Sequence, residues 1–192
     1  MLPQMLPILE VPSIRRRAVP ITVETYHAMA AQGMVEEKTE LLRGVIIAKV
    51  SKSPLHEYIA NRLFHLALSA AGPGYVVRKE GPLTLLDSEP EPDIAIVAGQ
   101  EEEFRRAHPR AAMVVMEVAI SSIEIDRQKA ALYAEAGIPE FWLVIPEEKR
   151  IEVASSPTSG VYTCHQTFSL GETLFSLVMP TLRVDLASLF AE

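Results

Sequence analysis

Apolar residues recur at intervals of three and four between residues 55 and 71, and this spacing predicts the clearest amphipathic helix of the chain. Ile59, Leu63 and Leu66 would lie on its buried face, and Gly72 would end it. Because one whole face of this helix is apolar, we expect it to pack against a sheet or another helix.

Shorter helices are predicted from their capping residues. Thr22 can cap a helix that runs to about residue 32, where Gly33 ends it. A second helix spans residues 126–136 and ends at Gly137, and a last one lies near residues 186–190.

Short apolar and β-branched runs predict the strands between these helices. They lie at residues 41–42 and 45–50, joined by a turn at 43–44, and at 75–78, 82–86, 94–97, 113–118, 141–145 and 150–153. The run 113–118 is nearly continuous, which is typical of a strand buried on both faces. The order of elements predicts an α/β fold in which helices flank both sides of a mixed β-sheet.

The length of 192 residues suits one domain with a sizeable core. No internal repeat or linker divides residues 21–192, which we interpret as a single domain whose tail mixes short strands with the last helix. Residues 1–20 contain several prolines and the arginines at 15–17, and predict an N-terminal arm that is poorly ordered or packed on a partner.

Composition narrows the possible partners and compartments. The net charge of -7 argues against a broad phosphate-binding surface, although part of it would be an acidic cluster that a cation neutralises. Cys164 is the single cysteine, so no intramolecular disulfide can form. No apolar run is long enough for a membrane span, and the first ten residues do not resemble a signal peptide. We therefore expect a cytoplasmic protein.

Two acids stand beside apolar strands. Glu117 lies inside the run 113–118, and Asp93 directly precedes the run 94–97. A carboxylate in an apolar strand is costly unless it is paired or binds a cation, so Glu117 predicts either a salt bridge to a lysine or arginine or a metal site.

A lysine follows these acids on the next predicted helix. Asp126, Lys129 and Tyr133 are spaced by three and four residues, which places them on one face of a helix. This pattern fits a solvated face with one ion pair. It also fits a site in which Asp93 and Glu117 hold Mg²⁺ or Mn²⁺ while Lys129 steadies charge on a phosphate or helps deprotonate a water.

At this point the chain resembles a known family. The matching motifs are Glu40-Leu41-Leu42-x-Gly44, His56, Pro92-Asp93, Glu117-Val118, Asp126-x-x-Lys129 and Tyr133-Ala134-x-Ala136-Gly137-Ile138-x-Glu140-Phe141-Trp142-Leu143-Val144. They resemble the Uma-type restriction endonuclease family, within the PD-(D/E)XK nuclease superfamily, over roughly residues 20–155.

The resemblance implies a restriction-endonuclease-like core and metal-dependent cleavage of phosphodiester bonds, with DNA as the expected substrate. By motif match, Asp93 and Glu117 would be metal ligands, Glu40 an additional acid, and Lys129 the active-site lysine. In the superfamily that lysine lies two residues after the acid, where this chain has Ala119. Ile120 and Ile145 also depart from the family pattern.

These observations leave two function classes open. The first is an endonuclease, acting as a homodimer in which a second copy covers the apolar tail around residues 179–190. The second is a catalytically inactive binding or assembly module with a nuclease fold, which the acidic charge and Ala119 favour. His56, at the start of the long helix, would either contact a phosphate or the acids, or be a structural residue.

Overall fold

A computed structural model describes residues 10–191, which form a central sheet with helices on both faces. The helices are α1 Pro12–Arg15, α2 Val23–Ala31, α3 Pro54–Ala70, α4 Ile123–Glu135 and α5 Leu186–Leu189. The strands are β1 Thr39–Leu42, β2 Val45–Ala48, β3 Tyr75–Lys79, β4 Ile94–Ala98, β5 Val114–Val118, β6 Glu140–Ile145, β7 Arg150–Thr158, β8 Val161–Ser169, β9 Thr173–Phe175 and β10 Arg183–Asp185. Short 3₁₀ turns span Glu101–Arg105 and Pro146–Glu148.

The central sheet has the strand order β3-β4-β5-β6-β7-β8. Its pairs are antiparallel except for β5 and β6, which run parallel. A parallel pair needs a crossover connection, and α4 supplies it. The α/β fold with a mixed β-sheet, expected from the order of elements, is therefore confirmed.

Alternation along the central strands builds two core layers. In β4, Ile94 and Ile96 pack with α3, whereas Ala95 and Val97 pack on the opposite face with α4. Because both faces are covered, β4 and β5 are almost wholly apolar. Glu117 alternates with these residues on the α4 side, since Val115 and Ala119 belong to that layer.

A separate hairpin, β1-β2, carries Glu40. Its turn residues Arg43 and Gly44 both have positive φ, as expected for the predicted turn at 43–44. A Cβ on Gly44 would come within 2.4 Å of the Pro20 Cβ, so the chain needs glycine there. The amide of Glu89 donates to Leu41 O at 2.7 Å and ties the hairpin to the segment that leads to Asp93.

The helix predictions are confirmed, with small shifts at the ends. The Thr22 side chain accepts a hydrogen bond from Thr25 N and caps α2, and Ser53 caps α3 in the same way through His56 N. Helix α4 begins at Ile123, three residues before the predicted start, because Asp126 N already donates to Ser122 O. Asp126 is thus a residue of the first turn.

The strand predicted at residues 82–86 is wrong. Leu83 and Leu85 are buried, which explains their apolar character, but the backbone amides of this segment donate to separate acceptors. Leu83 N donates to Pro90 O, Thr84 N to Pro109 O and Leu85 N to Ser88 O. The segment is therefore a loop packed on the core, and no neighbouring strand pairs with it.

Several smaller expectations also need correction. The connection at 100–109 contains the 3₁₀ turn Glu101–Arg105, and the predicted arm contains α1; residues 1–9 of that arm lie outside the described residues. The strand expected at 45–50 ends at Ala48, whereas that expected at 150–153 continues to Thr158 as β7.

The apolar tail does not need a second copy to cover it. Met179, Val184, Leu186 and Phe190 are buried in the same core layer as α3. The expectation that these residues need a second copy to cover them is therefore wrong, since the chain covers them itself.

Candidate active site

A cavity of about 110 Å³ opens where β5 ends and β4 begins. All the residues that the sequence singled out for catalysis line it, namely Glu40, Asp93, Glu117 and Lys129. The hairpin β1-β2 and the first turns of α3 and α4 complete its walls. Residues that are far apart in the chain thus meet in one place, as the motif argument requires.

Antiparallel pairing brings the two strand acids together. Ile94 pairs with Met116, so the next step along both strands sets Asp93 opposite Glu117. Val118 N donates to Asp93 Oδ2 at 2.8 Å, and Asp93 N lies 3.4 Å from Glu117 Oε2. Each carboxylate is therefore held by backbone of the neighbouring strand.

One ammonium group serves the surrounding acids. Lys129 Nζ lies 3.1 Å from Glu40 Oε1, 3.2 Å from Glu117 Oε1 and 3.4 Å from Asp126 Oδ1. Burial acts to lower the pKa of Lys129, but the negative charges of Glu117, Glu40 and Asp126 outweigh it and raise that pKa above its usual value. Lys129 is thus held firmly as a cation.

The Glu117 carboxyl experiences the opposite balance. Burial raises its pKa to about 8, and the nearby Asp126, Asp93 and Glu40 act in the same direction. Lys129 opposes the shift, but its single charge is shared with other carboxylates. The Tyr133 hydroxyl, itself fully buried, donates to Glu117 Oε1 at 2.8 Å.

Asp93 has basic partners of its own. Lys52 Nζ lies 2.8 Å from its Oδ1, and His56 Nε2 lies 3.1 Å from its Oδ2. Burial favours the neutral acid, but the hydrogen bond and charge of His56, followed by those of Lys52, lower the pKa of Asp93 to about 2. His56 therefore contacts the acids, one of the two alternatives considered for it.

Glu40 reaches the cavity from the hairpin. Its Oε2 accepts from Glu91 N at 3.2 Å, while its Oε1 faces Lys129. Lys49, which directly follows β2, forms an ion pair with Glu91 at the cavity rim. The hairpin thus contributes one acid, and the residue after it contributes a cation at the rim.

Sequence reasoning missed Lys52, which lies in the loop before α3 and has no periodic signal. It also missed Glu140, a fully buried acid at the start of β6. Glu140 Oε1 accepts from Trp142 Nε1 at 2.7 Å, and its Oε2 accepts from Ser176 Oγ at 2.8 Å. Both Glu117 and Glu140 are acids within apolar runs, so this pattern alone selects both. Their contacts in the fold distinguish the acid at the cavity from the acid that is bonded to Trp142 and Ser176.

The donor set fits a small divalent cation. Four buried carboxylates surround the cavity, those of Glu40, Asp93, Glu117 and Asp126. The cations that oppose them are the buried Lys129 and, at the margin, Lys52. Mg²⁺ and Mn²⁺ prefer oxygen ligands, and Mg²⁺ is commonly bound through one or two carboxylates with waters. Within residues 10–191, Glu117 Oε2 accepts only the long hydrogen bond from Asp93 N, so it has free acceptor capacity.

Within residues 10–191, histidine, cysteine and acidic side chains do not form a group of three or more that could hold a metal ion. A pair of carboxylates with water completing the shell is consistent with that finding. Asp93 and Glu117 are the pair that adjoin each other across the strands.

The family model described as "Putative restriction endonuclease", Uma2, matches residues 23–187. The chain belongs to the Uma2 family. The resemblance carried by the sequence motifs is thereby confirmed. No curated protein matches this Uma2 chain in sequence.

A solved structure shares the Uma2 protein's fold. It is described as a putative nuclease of the DUF820 group from Anabaena variabilis, solved at 1.96 Å resolution. The match has a TM-score of 0.76 at 19% identity and covers 90% of this chain and 98% of the other. The likeness establishes a nuclease-type fold.

Among the described residues, none of the helices has the length and apolar character needed to cross a membrane.

Proposed function

We propose that this protein is an endonuclease that hydrolyses phosphodiester bonds in DNA and depends on Mg²⁺ or Mn²⁺. Asp93 and Glu117 would hold the metal, with Lys129 and Glu40 as the other catalytic residues. The observation that carries the proposal is the meeting of Asp93, Glu117 and Lys129 on one cavity in a member of a restriction endonuclease family.

When bound, the metal would supply a Lewis acid and lower the pKa of a coordinated water. The chain's own residues would orient the two carboxylates and balance the charge around them. Val118 N and His56 fix the Asp93 carboxylate, and Asp93 N holds Glu117 Oε2. Because the pKa of Lys129 is raised, Lys129 would act as a cation that steadies charge on a phosphate oxygen rather than as a base.

Plasmid cleavage tests this proposal. We expect nicking or linearisation of DNA with Mg²⁺ or Mn²⁺, none with EDTA, and a loss of at least about a hundredfold in Glu117→Gln, a loss typical of essential catalytic groups. Glu124→Gln is the matched control, because Glu124 lies exposed on the same helix as Lys129. A folded wild-type protein that leaves DNA intact with either metal would contradict the proposal.

The alternative, an inactive binding or assembly module, is favoured by one observation. Ala119 occupies the position of the usual superfamily lysine and is fully buried. Isothermal titration calorimetry separates the two: the nuclease proposal expects Mn²⁺ binding that Asp93→Asn abolishes, whereas the module expects no heat at millimolar metal.

We also propose a cytoplasmic homodimer. Strand β8 is one of the two edges of the central sheet; it is nine residues long and contains no proline, lysine, arginine or acidic residue. Such an edge is a template for pairing with another strand. Light scattering is expected to give twice the chain mass of 21.2 kDa, and Thr163→Lys, which places a charge on that edge strand, to give the single mass.

A further inference from the structure

We propose that Arg105, Arg106 and Arg110 form a second contact surface for the DNA backbone, outside the candidate active site. This inference rests on the proposed function, because it concerns where the same substrate is held. The three arginines line a cavity of about 580 Å³ between α2 and the connection from β4 to β5.

These arginines differ from most others in the protein. Arg43, Arg127 and Arg150 each form ion pairs with acids. By contrast, the side chains of Arg105, Arg106 and Arg110 form no hydrogen bond or ion pair within residues 10–191, and all three are exposed. A chain with net charge -7 thus places three guanidinium groups together without an ion pair, although Arg110 interacts with Glu24 at longer range.

The remaining polar groups of this cavity do not cancel the charge. His27 and His108 line it, and Glu24 is the acid on its wall. Glu89 lies buried beside it, where its Oε1 is 2.7 Å from His27 Nε2. The acids of the preceding turn, Glu101 and Glu102, line a neighbouring cavity that Arg105 also borders, whereas Arg106 and Arg110 line the cavity beside α2.

The arginine-bearing connection is fixed in place. Thr84 N donates to Pro109 O at 2.9 Å, and Arg78 Nη2 lies 3.4 Å from His108 Nδ1. The Arg78 guanidinium also lies over the Phe104 ring at 5.9 Å. Because the backbone is held, binding a polyanion would order the arginine side chains without ordering the loop, which lowers the entropic cost.

The position of this surface relative to the active site suits a duplex. Glu89 N bonds Leu41 O next to Glu40, and Glu89 is four residues before Asp93. Four residues span at most about 14 Å, well within one helical turn of B-DNA. Because Glu89 also contacts His27 and Thr84 of the arginine cavity, one duplex that reaches Asp93 could also reach that cavity.

Fluorescence anisotropy with a labelled 20-base-pair duplex in EDTA tests this surface apart from catalysis. Each of R105A, R106A and R110A is expected to reduce the slope of log K against log salt by about 0.9, and the triple variant by about three times that amount. R183A is the matched control: Arg183 is exposed, lacks an ion pair within the described residues and lies in β10, beside the α3 core layer.

The two proposals fail separately. The arginine surface is overturned if the slope of log K against log salt is unchanged in the triple variant, or if the duplex does not bind the wild type. A wild type that binds through the arginines but never cleaves with Mg²⁺ or Mn²⁺ overturns the nuclease activity and leaves the surface standing. Unchanged thermal unfolding of the variants would show that they fold.

Discussion

Lys129 Nζ lies 3.2 Å from Glu117 Oε1, although the lysine comes from a helix and the acid from a strand twelve residues earlier. At the strand position that would bring a lysine to the same acid, the chain has the buried Ala119. A helix residue thus delivers the ammonium group that the strand does not. The same lysine also contacts Glu40 and Asp126, which makes it the electrostatic centre of the site.

Replacing this lysine should destabilise the protein. Lys129→Met leaves buried carboxylates without their cation, and removal of one partner from a buried ion pair costs about 3–5 kcal/mol. Urea denaturation in EDTA measures the change, with Lys38→Met as control because Lys38 is exposed. The double variant E117Q/K129M should recover part of the loss, and a Lys129→Met effect below about 1 kcal/mol would disprove the role of Lys129 as centre.

Stability without metal should fall as the pH rises. Burial raises the pKa of Glu117 from 4.5 to about 8, with Lys129 opposing in part. Between these values the folded protein keeps a proton that the unfolded chain has released, so the contribution of Glu117 is fully present below about pH 4.5 and is lost through about pH 8. Melting temperatures from pH 5 to 9 in EDTA should show this decline, and Glu117→Gln should flatten it. Equal slopes in both proteins would speak against the raised pKa.

Two tyrosines provide a matched pair of hydroxyl deletions. Tyr133 donates to Glu117 Oε1 at 2.8 Å, and Tyr162 donates to Ile138 O at 2.9 Å, both in buried surroundings. Either Tyr→Phe change should cost about 1–3 kcal/mol, because a buried acceptor loses its donor. Only Tyr133→Phe should move the midpoint of the stability–pH profile upward, since it removes a donor to the Glu117 carboxylate. An identical shift in Tyr162→Phe would exclude a specific role for Tyr133.

The two buried acids in apolar runs should respond differently to amidation. Glu140 lies at the opposite end of the parallel strands, and its Oε2 accepts from Ser176 Oγ, Leu177 N and Val178 N. Glu140→Gln should cost about 2–3 kcal/mol and retain DNA cleavage, since one amide oxygen cannot replace both carboxylate oxygens. Glu117→Gln should retain stability and lose cleavage. If both variants lose activity at equal stability, the division into a structural and a catalytic acid is wrong.

The sequence predicted the fold well where side-chain period and caps agreed. Thr22 caps α2 as predicted, the three- and four-residue apolar spacing marks α3, and apolar runs mark β4 and β5. The loop containing Leu83 was mistaken for a strand because burial, not pairing, makes it apolar. Local pattern reports burial, whereas strand pairing depends on distant neighbours.

For the site, the sequence indicated which residues meet but not their charge balance. Asp93, Glu117 and Lys129 follow from acids beside apolar strands and a helix spacing. Lys52 could not be predicted, because a loop lysine acquires its meaning only from Asp93, which is forty-one residues away. The arginine surface could not be predicted either, because the net charge is a sum over the whole chain and does not report where charges cluster.

A crystal soaked in millimolar Mn²⁺ tests the metal site most directly, because anomalous scattering locates the ion itself. We expect a peak within coordinating distance of carboxylate oxygens of both Asp93 and Glu117, with Lys129 Nζ close by, and no peak in Glu117→Gln. Crystals that diffract well but show no manganese at these carboxylates, or show it elsewhere, would contradict the assignment of Asp93 and Glu117 as ligands.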